Sequence, residues 1–406
     1  MKVLQINVVY KTGSTGKIVY DLHQGLTSRS IESYVCYGRG NSIKDNNVIK
    51  ISSEFYSKLN NLFSRISGIP YGGCTVSTLQ LLRIIEKINP DIVHIHCING
   101  YFVNVYNLIQ WLNNNNFPLV LTLHAEFMFT ANCSHSFDCE RWKTGCGSCP
   151  NLKQATNSYL FDRTRRSWNR MNDSFNKYDK ACIVSVSDWL RHRSEQSPIL
   201  GNFRNITILN GIDTSTFFYH QPSTSMAYIK RLFPEIECRK TVLHVTAAFN
   251  DSVNHIKGGY YLIKLAERLP DLQFLVVGNY SLKSKLPDNV ILLGNIENRD
   301  VLAMLYSISD VTLLTSKRET FSMICAESLC CGTPVIGFKA GGPESISLPE
   351  YSRFCEYGDI DGLVDILDKL PNFDAQSVSE AAIKAYNIDA MINHYVNLYN
   401  QLCDYN

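Results

Sequence analysis

Glu319 and Glu327 flank seven residues in Lys317-Arg318-Glu319-Thr320-Phe321-Ser322-Met323-Ile324-Cys325-Ala326-Glu327, and Gly332-Thr333-Pro334 closes the stretch. A carboxylate only accepts hydrogen bonds, and two neighbouring hydroxyls can both donate to it. The apolar spacing predicts a helix over Phe321–Cys331. Glu319 then lies in the loop before that helix, and Glu327 lies about 12 Å farther along, two turns in. The amides of Thr320, Phe321 and Ser322 would open the helix without intrahelical partners and suit an anion. A diphosphate on those amides, with a sugar on one acid and a ribose on the other, is the chemistry on offer. By itself the pattern also fits a helix with one acid in its first turn and another facing solvent.

Three other groupings invite chemical readings. Of the 14 cysteines, most sit singly in apolar segments, as Cys97 and Cys182 do, and read as small buried hydrophobes. Cys133, Cys139, Cys146 and Cys149 instead fall close together; Cys146-Gly147-Ser148-Cys149 has the reach of a zinc knuckle, and the other two could complete a tetrahedron. Unligated thiols are the competing reading, and four sulfurs would leave a catalytic metal no open position. Arg163, Arg166 and Arg170 follow at i, i+3 and i+7, with Arg165 and Trp168 nearby. They form either a solvated helix face or a contact for an anionic, lipid diphosphate-linked acceptor at a membrane surface. Gly13-Ser14-Thr15-Gly16-Lys17 looks like a P-loop, but the glycine spacing is too short and Ile18 follows the lysine where Ser or Thr is required.

These residues need a frame, and the chain supplies one by alternation. Short apolar strands at Val3–Val9, Ser33–Tyr37, Ile92–His96, Leu119–His124 and Ala181–Ser187 are separated by helical spacings at Lys17–Leu26, Leu79–Ile88 and Asn104–Leu112. After Asn210-Gly211-Ile212-Asp213, a turn signal, and the polar stretch His220–Ser225, the alternation restarts. Its strands are Thr241–Thr246, Leu272–Val277, Val290–Leu293, Val311–Leu314 and Pro334–Phe338, with helices between them and another near Ile360–Leu370. Strands separated by helices imply parallel, doubly wound α/β sheets, whose ligands bind at the carboxyl ends of the strands. The terminal segment Asp389–Leu402 carries Met391, Tyr395, Leu398 and Leu402 on one stripe and needs a surface to pack on.

At 406 residues the chain has room for two domains, and a formal charge of +2 gives no argument for nucleic-acid binding. No secretory leader and no apolar run long enough to cross a bilayer is visible. The expectation is therefore a cytoplasmic protein with reduced thiols, with peripheral contact at the inner face of the cell membrane left open.

The Glu, seven residues, Glu pattern followed by Gly332-Thr333-Pro334-Val335-Ile336, with Gly341-Gly342-Pro343-Glu344 shortly after, resembles the retaining glycosyltransferases of family 4, which have the GT-B fold. Lys257-Gly258 resembles that family's phosphate-binding pair, and Asn210–Asp213 with Phe217 resembles its interdomain segment. The resemblance spans essentially the whole chain. It implies two Rossmann-like domains facing a central cleft: residues 1–210 on the acceptor side with a Cys-rich insert at 133–149, residues 211–386 for the donor, and residues 387–406 as a helix crossing back to the first domain. It further implies that Glu319 holds donor-sugar hydroxyls, Phe321 and Ser322 offer amides, Glu327 binds the ribose, and Lys257 neutralises the departing diphosphate. Arg318, Thr320, Gly341 and Gly342 would stand at the same phosphates. His124 would face the sugar, and Gly13 and Gly16 would form the family's glycine-rich first loop. One departure is plain: the family's arginine shortly before its lysine has no counterpart in Ala247–Ile256, where Asn250, His255 or Arg318 would have to compensate.

The activity so implied is transfer of a sugar from a nucleoside diphosphate sugar to a lipid-linked oligosaccharide of a surface polysaccharide. Configuration is retained and no cofactor is needed for catalysis, while a structural zinc could occupy the cysteines. A nucleotide-sugar epimerase of the same shape and a non-catalytic glycan-binding scaffold are the alternatives.

Overall fold

The computed structural model describes residues 1–404, which form two compact units. The first comprises Met1–Leu209 together with the chain from Met391 onward, and the second comprises Asn210–Ala390.

In the first unit, seven strands form a parallel sheet: β1 (Lys2–Asn7), β2 (Glu32–Tyr37), β3 (Val48–Lys50), β4 (Ile92–Ile95), β5 (Leu119–Leu123), β6 (Ala181–Ser185) and β7 (Arg204–Thr207), in the order β3-β2-β1-β4-β5-β6-β7. The central strands are mostly apolar because helices cover both faces; β4, β5 and β6 are fully buried. Strand order reverses between β1 and β4, which makes their carboxyl ends the switch point of this sheet.

The second unit repeats the plan with six parallel strands: β8 (Thr241–Asn250), β9 (Gln273–Ser281), β10 (Val290–Gly294), β11 (Val311–Leu314), β12 (Val335–Phe338) and β13 (Ser352–Cys355). Their order is β10-β9-β8-β11-β12-β13, so this switch point lies between β8 and β11. Val242, Leu262, Phe274, Leu313 and Ile336 are among its fully or nearly fully buried core residues.

The terminal helix, Ile388–Asp404, finds its surface on the first unit. It buries Met391, Ile392, Tyr395, Leu398 and Tyr399. The Tyr399 hydroxyl lies 2.6 Å from His94 Nδ1, and the Tyr395 hydroxyl 2.9 Å from Thr122 Oγ1. Ile392 fills the space where Gly25 lacks a side chain.

Several element boundaries differ from the sequence expectation. The Gly13–Gly16 segment is not a loop: a helix runs over Gly13–Ser28, and both glycines lie in its first turn. Within the polar stretch His220–Ser225, Pro222 opens the helix Pro222–Leu232, where its missing N–H costs nothing. Strand β8 continues past Thr246 to Asn250 after a register shift against β9. Patterning also missed β3, β13 and the helices Glu54–Ser67 and Ala375–Tyr386, whose polar residues mask the period.

Candidate functional site in the second unit

Three loops leave the carboxyl ends of β8, β11 and β12 beside the switch point, and they are fastened together. The Thr315 hydroxyl donates to the Lys257 carbonyl at 3.0 Å, and the Lys317 amide to the Ile256 carbonyl at 2.8 Å. Gly258 adopts φ +69°, and a Cβ there would stand 2.0 Å from the Thr315 carbonyl oxygen. Only glycine permits both that conformation and that approach. Between the other two loops, the Glu319 amide donates to the Ala340 carbonyl at 3.1 Å and the Gly342 amide to the Glu319 carbonyl at 2.8 Å. Glu344 holds the glycine loop from behind, accepting from the amides of Ala340 and Gly341 at 2.9 and 2.7 Å.

This packing brings two separately predicted residues into contact. Lys257 Nζ donates to Glu319 Oε1 at 2.6 Å, with side chains 32% and 25% exposed. The pair is accessible rather than sealed. Thr320 and Phe321 are buried behind it, and Arg318 is partly buried. Asn250, considered as a substitute for the missing arginine, is engaged locally: its amide donates to Ser281 and its side-chain oxygen accepts from Ser252.

The helix itself begins later than expected. It spans Met323–Cys330, and Ser322 is its N-cap, with its hydroxyl accepting from the Cys325 amide at 3.3 Å. The amides of Thr320, Phe321 and Ser322 therefore belong to the turn before the helix, and Glu327 lies one turn in rather than two. Ser322 holds φ 84° and ψ 91°, a costly conformation for a residue with a side chain.

Glu327 is partly buried, and burial pushes its carboxyl up to about 7, with Arg299 pulling the other way. The Tyr306 hydroxyl donates to its Oε2 at 3.3 Å. Arg299 pairs with Asp213 at 3.0 Å and lies 4.8 Å above the Phe217 ring, which meets Tyr306 edge-on. Asp213 and Phe217 thus adjoin the glutamate in this unit. Tyr306 and Arg299 carried no sequence signal beyond an ordinary amphipathic helix.

Residues assigned to the first unit have their own surroundings. His124 follows β5; its Nε2 lies 3.2 Å from His96 Nδ1, and burial lowers its ring to about 4. The His96 ring in turn lies against that of His94, tilted, with 3.9 Å between centroids. His94, in β4, and His96, just after it, were legible only as apolar-strand residues.

The four clustered cysteines all line one cavity of about 20 Å³. Among the described residues, however, no group of three or more His, Cys, Asp or Glu side chains is placed to hold a metal ion. The tetrahedron expected from spacing is not assembled among the described residues, although all four cysteines line the same cavity. The insert is anchored by a buried ion pair, Arg193 to Glu126 at 2.7 Å, with the guanidinium 5.2 Å from the ring centroids of Trp142 and Trp189. The arginine series is not one solvated stripe either: Arg163 lies over Phe161, and Arg170 lies 4.3 Å from the Tyr106 ring.

Two parallel, doubly wound domains with loops gathered at the switch points constitute the GT-B architecture of glycosyltransferases, and solved structures agree. Sucrose-phosphate synthase from Thermosynechococcus elongatus superposes with a TM-score of 0.70 at 17% identity, covering 100% of both chains. Anabaena Alr3699/HepE in complex with UDP-glucose gives 0.64 at 15% identity, covering 99% of this chain and 100% of that one. In sequence, a protein described as a colanic acid biosynthesis glycosyl transferase, WcaC of Escherichia coli K12, is 24% identical over 99% of this chain and 100% of its own length. N-acetyl-alpha-D-glucosaminyl L-malate synthase of Bacillus anthracis is 22% identical over 85% and 83%. The family model for Glycosyltransferase Family 4 matches residues 15–216, and that for Glycosyl transferases group 1 matches residues 246–384. The chain belongs to the group 1 glycosyltransferases of family 4 type and is a transferase enzyme.

Proposed function

We propose that this glycosyltransferase moves a sugar from a nucleoside diphosphate to a growing, lipid-linked glycan of a surface polysaccharide, with retention of anomeric configuration. The full-length likeness to a colanic acid biosynthesis transferase supports the glycan class, and the likeness to a UDP-glucose-binding protein supports the donor class. One observation carries the donor assignment: the Lys257–Glu319 pair stands at the switch point of the second unit, against the Gly341-Gly342 loop.

In this reading residues 211–386 hold the donor. Its diphosphate displaces Glu319 from Lys257 and takes the ammonium as its own counter-charge. A half-exposed pair of this kind is worth about 1 kcal/mol or less, so exchanging it costs little. The freed Glu319 carboxylate then accepts from sugar hydroxyls. Amides of Thr320, Phe321 and Ser322, with Arg318 and the Gly341-Gly342 turn, surround the phosphates, and Glu327 accepts from the ribose. As the glycosidic bond breaks, negative charge grows on the departing diphosphate, where Lys257 stabilises it. Residues 1–210 serve the acceptor, with His124 and the Gly13–Gly16 turn as the groups that meet it.

No resident metal takes part in this scheme. The cysteines are proposed as a structural zinc site that closes when the four thiols swing toward the cavity they share. A cytoplasmic enzyme working at the inner face of the membrane fits the acceptor, and no helix among the described residues is long and apolar enough to cross a bilayer. A thermal-shift panel of UDP, GDP, ADP and dTDP, with and without sugars, tests the donor reading. One of them should stabilise the protein, and no shift with any would count against it.

A further inference from the structure

The helix Glu54–Ser67 of the first unit is turned inside out. It buries Ser57 and Ser64 and presents Phe55, Leu59, Leu62, Phe63 and Ile66 to the outside. These five fall at i, i+4, i+7, i+8 and i+11, a single stripe down the helix. Phe55 is 73% exposed and Phe63 60%. The stripe is extended at both ends. At one end, Asn60 and Tyr56 accept from the amides of Cys74 and Val76, fixing a second helix (Thr75–Ile88) whose Val76 and Leu79 are also exposed. At the other, the Tyr159 amide donates to the Arg65 carbonyl, which sets exposed Tyr159, Leu160 and Phe161 beside the helix end. An apolar surface this continuous marks a binding face, since isolated exposed hydrophobes do not line up across three segments.

The free charge around it is mainly positive, since the carboxylate of neighbouring Asp162 is taken up by the amides of Cys149 and Thr164. Lys58 and Arg65 lie along one edge of the stripe, one turn from Phe55 and Leu62 respectively. Arg65 donates to the Tyr159 hydroxyl, and Arg163 lies 5.1 Å from the Phe161 ring centroid. The one acid of the helix, Glu54, is neutralised by Arg39 at 2.7 Å.

We infer that this face docks on a lipid bilayer carrying anionic headgroups. The helix would lie in the interface with its aliphatic and aromatic stripe among the acyl chains. Lys58, Arg65 and Arg163 would reach up to the phosphates, as amphipathic cations do. A second copy of the chain would set the same basic edges against one another. This inference rests on the membrane-side reading of the proposed function and gives it a surface; it concerns the first unit alone and stands apart from the donor assignment.

The test is co-sedimentation of the full chain with vesicles of phosphatidylcholine alone and with about one third phosphatidylglycerol added. The protein should bind the anionic vesicles, more weakly as salt is raised. Phe55→Ser with Phe63→Ser should weaken binding at least about tenfold. Lys58→Gln with Arg65→Gln should remove most of the salt dependence. Nucleotide thermal shifts in the same variants report that the fold and the second unit are intact. Should the serine variant fold poorly, Phe63→Trp provides a second readout: its fluorescence should shift to the blue and be quenched by brominated lipid. Failure of the unmodified protein to bind anionic vesicles overturns the inference, as does undiminished binding by the serine variant. So does a concentration-dependent dimer, broken by that variant, in place of vesicle binding.

Discussion

Lys257 Nζ and Glu319 Oε1 meet at 2.6 Å, so the cation following β8 and the acid following β11 neutralise each other at the point where strand order reverses. A pair held in readiness for exchange should respond asymmetrically to substitution. Lys257→Ala should lower the turnover of donor by roughly 10²–10³, the usual loss for one electrostatic group at a developing anion. Glu319→Gln should spare nucleotide binding while weakening the sugar nucleotide. Calorimetric titration with nucleotide and sugar nucleotide, beside steady-state rates, separates the two. Equal losses for both ligands in Glu319→Gln would contradict the exchange.

Glu327 supplies a pH signature. Its carboxyl titrates near 7 in the folded protein because burial disfavours the charge. A raised carboxyl contributes stability while protonated, fully below its unfolded value of about 4.5 and lost as pH rises through about 7. Glu327→Gln should therefore gain in melting temperature relative to the unmodified protein over that window and hold the gain above it. The ionised form accepts from both ribose hydroxyls, and more strongly than the neutral acid, so nucleotide affinity of the unmodified protein should weaken as pH falls below about 7. In Glu327→Gln that slope should vanish.

Gly342 tests the fastening of the loops. A Cβ there would stand 2.4 Å from the Thr320 carbonyl carbon and 2.5 Å from the Phe321 nitrogen, both backbone atoms with nowhere to go. Gly342→Ala should cost about 1–3 kcal/mol in chemical denaturation and abolish nucleotide-induced stabilisation. A variant that binds nucleotide normally would show that the turn is not part of the donor site.

The cysteine insert is settled by metal content. Protein purified without chelator should carry about one zinc per chain. Cys146→Ser with Cys149→Ser should lose it and lower the melting temperature without touching nucleotide affinity. Zinc far below one equivalent would leave the four as free thiols.

The alternation of apolar strands and helical spacings was legible because parallel strands buried on both faces leave continuous apolar runs, as Ile92–His96 and Leu119–His124 do. Residues fixed by backbone geometry were legible too: Gly258 and Gly341 stand where φ is positive. Tertiary convergence was not. Nothing in the sequence says that Lys257 touches Glu319, or that Tyr306 and Arg299 surround Glu327, since these contacts join segments dozens of residues apart. The start of the 323–330 helix was misplaced because Phe321 and Ser322 fit a helical period, while Ser322 is held outside it as a cap. The helix Glu54–Ser67 escaped notice because its asparagines and serines interrupt the pattern, although its stripe is regular once its axis is known.

The terminal helix has a bearing on how the molecule is made. It contributes Tyr395 and Tyr399 to the interior of the unit that contains Met1, yet those residues are synthesised only after the whole of the second unit. On the ribosome, the leading half of the chain must wait with His94 and Thr122 uncovered until the intervening unit has been made, although domains generally fold in order of emergence. Removing the chain from Met391 onward would leave the distant first unit incomplete while sparing the second unit, which lies next to the cut.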